Sequence, residues 1–265
     1  PVAAPPPPQA AVAPGEGGHA LTVLFASPLA YQDQELRMRP IAQLDADLER
    51  DMLWETFLES GRDVSLEFGY ATTRRLRAAV TLGCRALHYS GHGHSQFLAF
   101  EDDFGGLHAI RLEQLRNLCA AGSSSTSEHV PQVPPPPPAA GGGARAAAGE
   151  QQQRQLHPGL DFVFVSACHS KLAGQAFADA GVPHVVCVKL DAQLMDVAAR
   201  SFTSAFYLAL AVGHTVRNAF DIGREAVAAD PHVPDSHLER EKFLLLPEDE
   251  YDDGEDDGEE EKEGE

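Results

Sequence analysis

The chain has 265 residues, of which 40 are acidic and 20 are basic, so its formal net charge is −20. This acidity argues against a nucleic-acid partner, because nucleic-acid binding needs clustered Lys and Arg side chains. No apolar stretch is long enough to span a bilayer, so we expect no membrane segment either.

The predicted secondary structure alternates between strands and helices along the chain. In chain order, we expect strand 21–26, helix 40–60, strand 64–70, helix 72–82, strand 86–90, helix 112–118, strand 161–166, helix 173–180, strand 184–189, helices 192–212 and 215–229, and an edge strand 243–246. This alternation predicts an α/β fold: a three-layer sandwich whose mostly parallel sheet has about six strands and helices on both faces.

Three segments have low-complexity composition and are predicted to be disordered. Residues 1–18 form a leader rich in Pro and Ala, residues 122–155 combine runs of Ser, Pro, Gly, Ala and Gln, and residues 248–265 form an acidic tail. The composition therefore predicts one folded domain, 19–247, with 122–155 as an insertion. The lack of an initiator Met predicts a fragment of a longer protein.

The four cysteines show no paired spacing, so we expect free thiols in a reducing, cytoplasmic compartment. Ligands and catalytic groups of parallel sheets lie at the carboxyl ends of the strands. His92 follows strand 86–90 and Cys168 follows strand 161–166. If these strands are neighbours, the two side chains share a cleft.

A thiol beside an imidazole is a nucleophile for carbonyl carbon atoms. In that role Cys168 attacks as the thiolate, and His92 pairs with it and then protonates the leaving amine. Gly91 and Gly93 let the backbone turn sharply around the histidine, and the Gly93 and Cys168 amides are candidates for binding an oxyanion. Taken singly, a buried cysteine is more often a small apolar residue, and a single histidine is more often a hydrogen-bonded polar residue.

Metal binding is the alternative use of the histidines His88, His92 and His94. A cluster of the type H-x-H-x-D-H needs Asp and His soon after His94, where this chain has Ser95 and Gln96. We therefore predict no metal and no other cofactor. No G-x-S-x-G, phosphate-binding loop or H-E-x-x-H motif occurs either.

The motifs Ser90-Gly91-His92-Gly93 and Ser166-Ala167-Cys168-His169-Ser170 resemble those of the caspase-type cysteine peptidases of clan CD. Within that clan they are most similar to the CHAT domain, the caspase-like module related to separase. The segments 26–29, 202–213 and 216–224 also look like CHAT domains. The resemblance implies a caspase-like fold, His92 as base, Cys168 as nucleophile, and oxyanion binding by the amides of Gly93 and Cys168.

The substrate-binding residues are less clear from the resemblance. Metacaspases, which prefer a basic residue, have an acid two positions before the nucleophile, where this chain has Ser166. Asp191, just after the strand 184–189, is the nearest acidic substitute. Alternatively, Asp191 caps the helix that is expected to start near Ala192.

The resemblance implies a cysteine endopeptidase module of a larger signalling protein, which cleaves a partner protein through a thioester intermediate. The expected partners are a protein substrate and other domains of the full-length chain. The alternative is a catalytically silent CHAT-like module that binds partners or regulates an attached domain. A different α/β domain, such as a hydrolase or a small-ligand binder, is a third possibility.

Overall fold

The structure is a computed structural model that describes residues 19–123 and 160–248. The predicted leader, the acidic tail after residue 248 and the insertion after residue 123 lie outside the described residues. The three predictions of disorder therefore stay predictions.

Eleven strands are present in the described part of the chain. They are β1 (His19–Ala26), β2 (Ala30–Gln32), β3 (Met38–Pro40), β4 (Val64–Tyr70), β5 (Ala86–Gly91), β6 (Gly93–His94), β7 (Phe97–Glu101), β8 (Leu107–Arg111), β9 (Phe162–Ser166), β10 (His184–Val188) and β11 (Phe243–Leu246). Six of them form the main sheet in the order β11-β10-β9-β5-β1-β4, and only β11 is antiparallel to its neighbour. The predicted mostly parallel sheet of six strands is confirmed.

Seven helices accompany these strands in the same described ranges. They are α1 (Ala46–Ser60), α2 (Thr73–Thr81), α3 (Leu112–Ser123), α4 (Lys171–Asp179), α5 (Asp196–Ala211), α6 (Val216–Ala229) and α7 (Ser236–Arg240). One apolar cluster joins one face of the sheet to α2, α3 and α4, and a second, rich in phenylalanine, joins the other face to α1, α5 and α6. Both faces of the sheet are therefore covered, and the three-layer α/β architecture is confirmed.

The two strands that precede the candidate catalytic residues are neighbours, which is the condition for a shared cleft. β5 pairs with β9 in parallel, and Ser90 lies opposite Ser166 at the carboxyl ends. Since His92 and Cys168 each follow these positions by two residues, the register brings both motifs to the same edge of the sheet.

The structure differs from the predicted elements in several places. The three-stranded sheet β6-β7-β8, the β2–β3 hairpin and the short α7 are not among the elements predicted above. Helix α5 begins at Asp196 instead of 192, because the preceding segment folds back: the His169 amide donates a hydrogen bond to the Ala192 carbonyl. Within the described ranges, no helix is long and apolar enough to cross a membrane.

Candidate active site

A pocket of about 140 Å³ lies at the carboxyl ends of β5 and β9. Its lining comes from those two strand ends, from the start of α1 and from the start of α5. His92, Gly93, Ser166 and Cys168, four of the five residues predicted from the sequence, line it together. The fifth, Asp191, is an exposed residue between β10 and α5 and is not part of the lining.

Gly93 brings the two motifs into direct contact. A Cβ atom built on Gly93 would lie only 1.9 Å from the Cys168 carbonyl oxygen, so no larger residue fits unless the backbone moves. A Cβ atom built on Gly91 would likewise lie 2.6 Å from the Tyr89 hydroxyl oxygen and 2.7 Å from the Ala26 Cβ atom. Neither glycine is among the positive-φ residues. Neither position therefore requires a left-handed backbone, and close approach is the reason that the structure gives for both glycines.

The ring of His92 is held by a backbone carbonyl. His92 Nε2 lies 2.7 Å from the Ala42 oxygen, in the loop before α1. Because a carbonyl oxygen only accepts hydrogen bonds, Nε2 must carry the hydrogen. In the neutral ring, Nδ1 is then the nitrogen with the free lone pair, which makes it the atom that can take up a proton.

Cys168 differs from the other three cysteines in its surroundings. It is half-buried in the pocket, whereas Cys84, Cys119 and Cys187 are buried. Burial raises the pKa of the Cys119 and Cys187 thiols to about 12, which keeps them protonated and unreactive. The Leu194 amide donates a hydrogen bond to Cys168 Sγ at 3.3 Å, and such a donor stabilises negative charge on sulfur.

The residue after the candidate nucleophile has an unusual backbone conformation. His169 has a φ of 55°, in the left-handed region that non-glycine residues rarely adopt. Its Nδ1 lies 2.6 Å from the Leu190 carbonyl oxygen, so the ring and the amide of His169 both bind the β10–α5 loop. These contacts fix the turn that carries Cys168, and strained turns of this kind are concentrated at functional sites.

His88 makes hydrogen bonds inside the protein through both ring nitrogens. Its side chain is completely buried, and its ring nitrogens contact the Tyr207 hydroxyl at 2.9 Å and Glu49 Oε1 at 3.0 Å. The part of the chain that the structure describes contains no group of three His, Cys, Asp or Glu side chains placed to hold a metal ion.

The pocket wall carries charge that the sequence did not reveal. Asp45, Glu49 and Asp196 contribute three acids, and Arg200 contributes one base. Burial acts to raise the pKa of Glu49, but hydrogen bonds and charge interactions with His88, together with Ser90 and Arg200, outweigh it and lower that pKa. Glu49 is therefore ionised at neutral pH.

A second, apolar pocket adjoins the first. It shares His92 and Gly93 with it, and its apolar side chains include Tyr31, Ile41, Phe97 and Leu107. A peptide that crosses His92 would therefore meet a charged pocket and an apolar pocket next to each other.

The sequence analysis missed the contacts of Ala42, Leu194 and Glu49. Ala42 and Leu194 contribute backbone atoms, and the role of a backbone atom cannot be recognised from the type of residue. Glu49 lies on a helix with many exposed acids, so periodicity alone does not single it out. The one usable signal was His88, a polar residue in an otherwise apolar strand, which calls for a buried polar partner.

The chain was compared with known proteins. No family model matches it, and no curated protein matches it either. Among solved structures, it is similar to the Arg-specific cysteine proteinase gingipain R, with 12% identity, a TM-score of 0.47, and 85% of this chain and 45% of that chain covered. A complex of the RgpB pro- and mature domains of Porphyromonas gingivalis gives 12% identity, a TM-score of 0.48 and coverages of 86% and 46%.

A pyridoxal kinase of Staphylococcus aureus is less similar, with 13% identity, a TM-score of 0.29, and 87% of this chain and 99% of that chain covered. This chain spans less than half of the gingipain chains that it matches. The functional proposal below therefore rests on the residues of the site itself.

Proposed function

We propose that this chain is a cysteine endopeptidase module, similar to CHAT domains, with Cys168 as nucleophile and His92 as acid and base. The observation that carries the proposal is the convergence of both residues on one pocket, with the His92 ring held through Nε2 and the Cys168 sulfur accepting an amide hydrogen bond.

In the proposed reaction, the thiol proton of Cys168 moves to His92 Nδ1, and the thiolate attacks the carbonyl carbon of a peptide bond. A carbon–sulfur bond forms, and the carbonyl electrons move to oxygen, where the amides of Gly93 and Cys168 bind the negative charge. When the carbon–nitrogen bond breaks, the proton on His92 passes to the leaving amine. Water, deprotonated by His92, then cleaves the thioester and restores the thiol.

The substrate in this proposal is a protein, since the reaction is hydrolysis of a peptide bond. By its resemblance to CHAT domains, we infer that the module is part of a larger cytoplasmic signalling protein and acts on a partner protein. The alternative remains a catalytically silent module, which would keep the fold and the pocket without chemistry at Cys168.

Peptide electrophiles with different residues at the cleavage position test the proposal. We expect them to label Cys168 and none of the three buried cysteines, because only Cys168 is both accessible and supported as a thiolate. Mass spectrometry of the labelled chain identifies the site, and Cys168→Ala is the control. If the native chain is not labelled by any member of the series, the silent module is the better description.

The charged pocket wall leads to a prediction about specificity. If a basic side chain occupies the pocket, we expect Asp196→Asn to lower kcat/KM for Arg and Lys substrates by about two- to fivefold, because Asp196 is solvent-exposed and exposed ion pairs are worth up to about 1 kcal/mol. Asp191→Asn, the variant that the sequence favoured, should change it less, because Asp191 lies outside the lining. Kinetics with matched basic and neutral peptides provide the measurement.

The helix-cap alternative for Asp191 was wrong. The residue that caps α5 is Met195, four positions later, and its side chain makes no capping hydrogen bond. Equal and large losses for the Asp191 and Asp196 variants would restore Asp191 as the substrate-binding acid.

A further inference from the structure

A buried chain of hydrogen bonds runs beneath the candidate pocket, and the reaction proposed above does not use it. The Tyr207 hydroxyl on α5 contacts His88 Nδ1 at 2.9 Å, and His88 Nε2 contacts Glu49 Oε1 at 3.0 Å. The Ser90 hydroxyl donates to Glu49 Oε2 at 2.5 Å. The four side chains thus join α1, β5 and α5.

Every polar atom of this network has a consistent partner. Because Glu49 is ionised, it accepts hydrogen bonds from His88 Nε2–H and from the Ser90 hydroxyl. The Tyr207 hydroxyl keeps its proton because burial raises the Tyr207 pKa, and it can donate to His88 Nδ1 or accept from it, so this contact is satisfied in either form of the ring. A fully satisfied network in a buried site fixes the elements that it joins.

Glu49 is a polar tether of the first turn of α1. The buried side chains of this helix, Leu53, Thr56 and Phe57, lie from its midpoint onward. In the first half, Leu48 is 46% exposed, whereas the Glu49 side chain is only 17% exposed. The first turn of α1 is therefore held against β5 by the polar contacts of Glu49, beside the partly buried Ala46.

The start of α1 is linked directly to His92. Asp45 caps the helix by accepting from the Leu48 amide at 2.9 Å, and its carbonyl accepts from the Glu49 amide at 3.2 Å. Ala42, whose carbonyl accepts the hydrogen bond from His92 Nε2, lies three residues before this cap. The position of Glu49 therefore contributes to the position of the Ala42 carbonyl, together with the hydrogen bonds that Ile41 and Gln43 make to residues 27–29.

We propose that Glu49 is a positioning residue of the candidate active site: by binding His88 and Ser90, it holds the start of α1 so that the Ala42 carbonyl meets His92 Nε2 and fixes the ring with Nδ1 free for proton transfer. This inference rests on the proposed function for its catalytic consequence. The orientation of His92 that it describes is a property of the folded chain whether or not the chain is active.

The test compares two substitutions at Glu49 with a matched control. Glu49→Ala removes both contacts, whereas Glu49→Gln keeps the shape and one acceptor. Glu55→Gln, at an exposed position of the same helix, is the control. Rates are expressed per reactive site, counted by titration with a peptide electrophile, so that a loss of folded protein is not mistaken for a loss of activity.

We expect Glu49→Ala to lower kcat by about 100-fold, as a displacement of a catalytic group by about 1 Å does, with little change in KM. The kcat of Glu49→Gln should lie between that of Glu49→Ala and that of the native chain. The pH profile of Cys168 alkylation by iodoacetamide should move toward that of an unpaired cysteine in Glu49→Ala. Glu55→Gln should match the native chain in all three measurements.

Nitrogen-15 NMR of His92 gives a readout that does not depend on activity. We expect the native ring to carry its hydrogen on Nε2, and Glu49→Ala to show a mixture of tautomers. An unchanged tautomer and an unchanged alkylation profile in Glu49→Ala would overturn the inference. So would equal losses in Glu49→Ala and Glu49→Gln that are confined to basic substrates, because that result makes Glu49 a substrate-binding acid.

The two proposals fail in different ways. If the native chain shows no alkylation that depends on His92, the proposed function is wrong, and the NMR comparison still decides the role of Glu49. If Glu49→Ala does not fold, Ser90→Ala removes one of the two tethering contacts, and a shift of the His92 tautomer in that variant supports the inference, whereas its absence contradicts it.

Discussion

His92→Ala should lower kcat/KM for a cleaved peptide by about 10³-fold or more, while His94→Ala should leave it nearly unchanged. The His92 substitution removes both the partner of the Cys168 thiolate and the acid for the leaving amine, and losing such a group costs about 10²- to 10⁴-fold for proton transfer alone. His94 is exposed, and its ring stacks on Phe97 with the centroids 4.5 Å apart. Steady-state kinetics on both variants provide the comparison.

Thermal unfolding is the control for this pair. Neither histidine is fully buried, so both variants should melt close to the native temperature. Similar losses of activity in both variants would mean that the motif Ser90-Gly91-His92-Gly93 was interpreted in the wrong register. A large loss in His94→Ala alone would transfer the catalytic role to that residue.

Placing His92 and Cys168 in one pocket was possible from the sequence because both follow apolar runs. Such runs mark strands that are buried on both faces, and parallel strands bring their carboxyl ends to one edge. The remaining requirement was that the two strands be neighbours. The pairing of Ser90 with Ser166 fulfils that requirement, although a long stretch of chain separates them.

The groups that hold His92 and Cys168 in place could not be predicted from the sequence in the same way. The Ala42 carbonyl and the Leu194 amide are backbone groups whose positions depend on how two loops fold over the sheet. The start of α5 at Asp196 could not be predicted from the sequence for the same reason. The turn around Ala192 is stabilised by a hydrogen bond from His169, a contact between segments that are distant in sequence.

Gly93 was only partly understood from the sequence. The sequence singled it out as a residue of the motif and assigned it a role in turning the chain and, through its amide, in binding an oxyanion. The structure gives a different reason, since the missing side chain lets the backbone after β5 rest on the Cys168 carbonyl. A conformational requirement and a packing requirement predict different effects of substitution, so the distinction can be measured.

Gly93→Ala should reduce kcat/KM by about 100-fold without unfolding the domain. The added Cβ would lie 1.9 Å from the Cys168 carbonyl oxygen, which is far inside van der Waals contact, so the two backbone segments must separate by about 1 Å. That separation moves the Gly93 and Cys168 amides, which in the proposed reaction bind the oxyanion together. The loss should therefore appear mainly in kcat. A Gly93→Ala variant with native kcat would show that the two segments can separate without consequence and would remove Gly93 from the proposed site.

Gly213→Ala is the matched control for this substitution. Gly213 follows α5 with a φ of 103°, and a Cβ atom added there would meet no other group of the described residues within 4 Å, so alanine introduces backbone strain but no clash. We expect it to lower the melting temperature by about 2–4 °C, as a destabilisation of about 1 kcal/mol does in a domain of this size, and to leave kcat unchanged. Comparing the two variants then separates the effect of backbone strain from the effect of a steric clash at the candidate active site. An activity loss in Gly213→Ala as large as that in Gly93→Ala would mean that general destabilisation explains both losses.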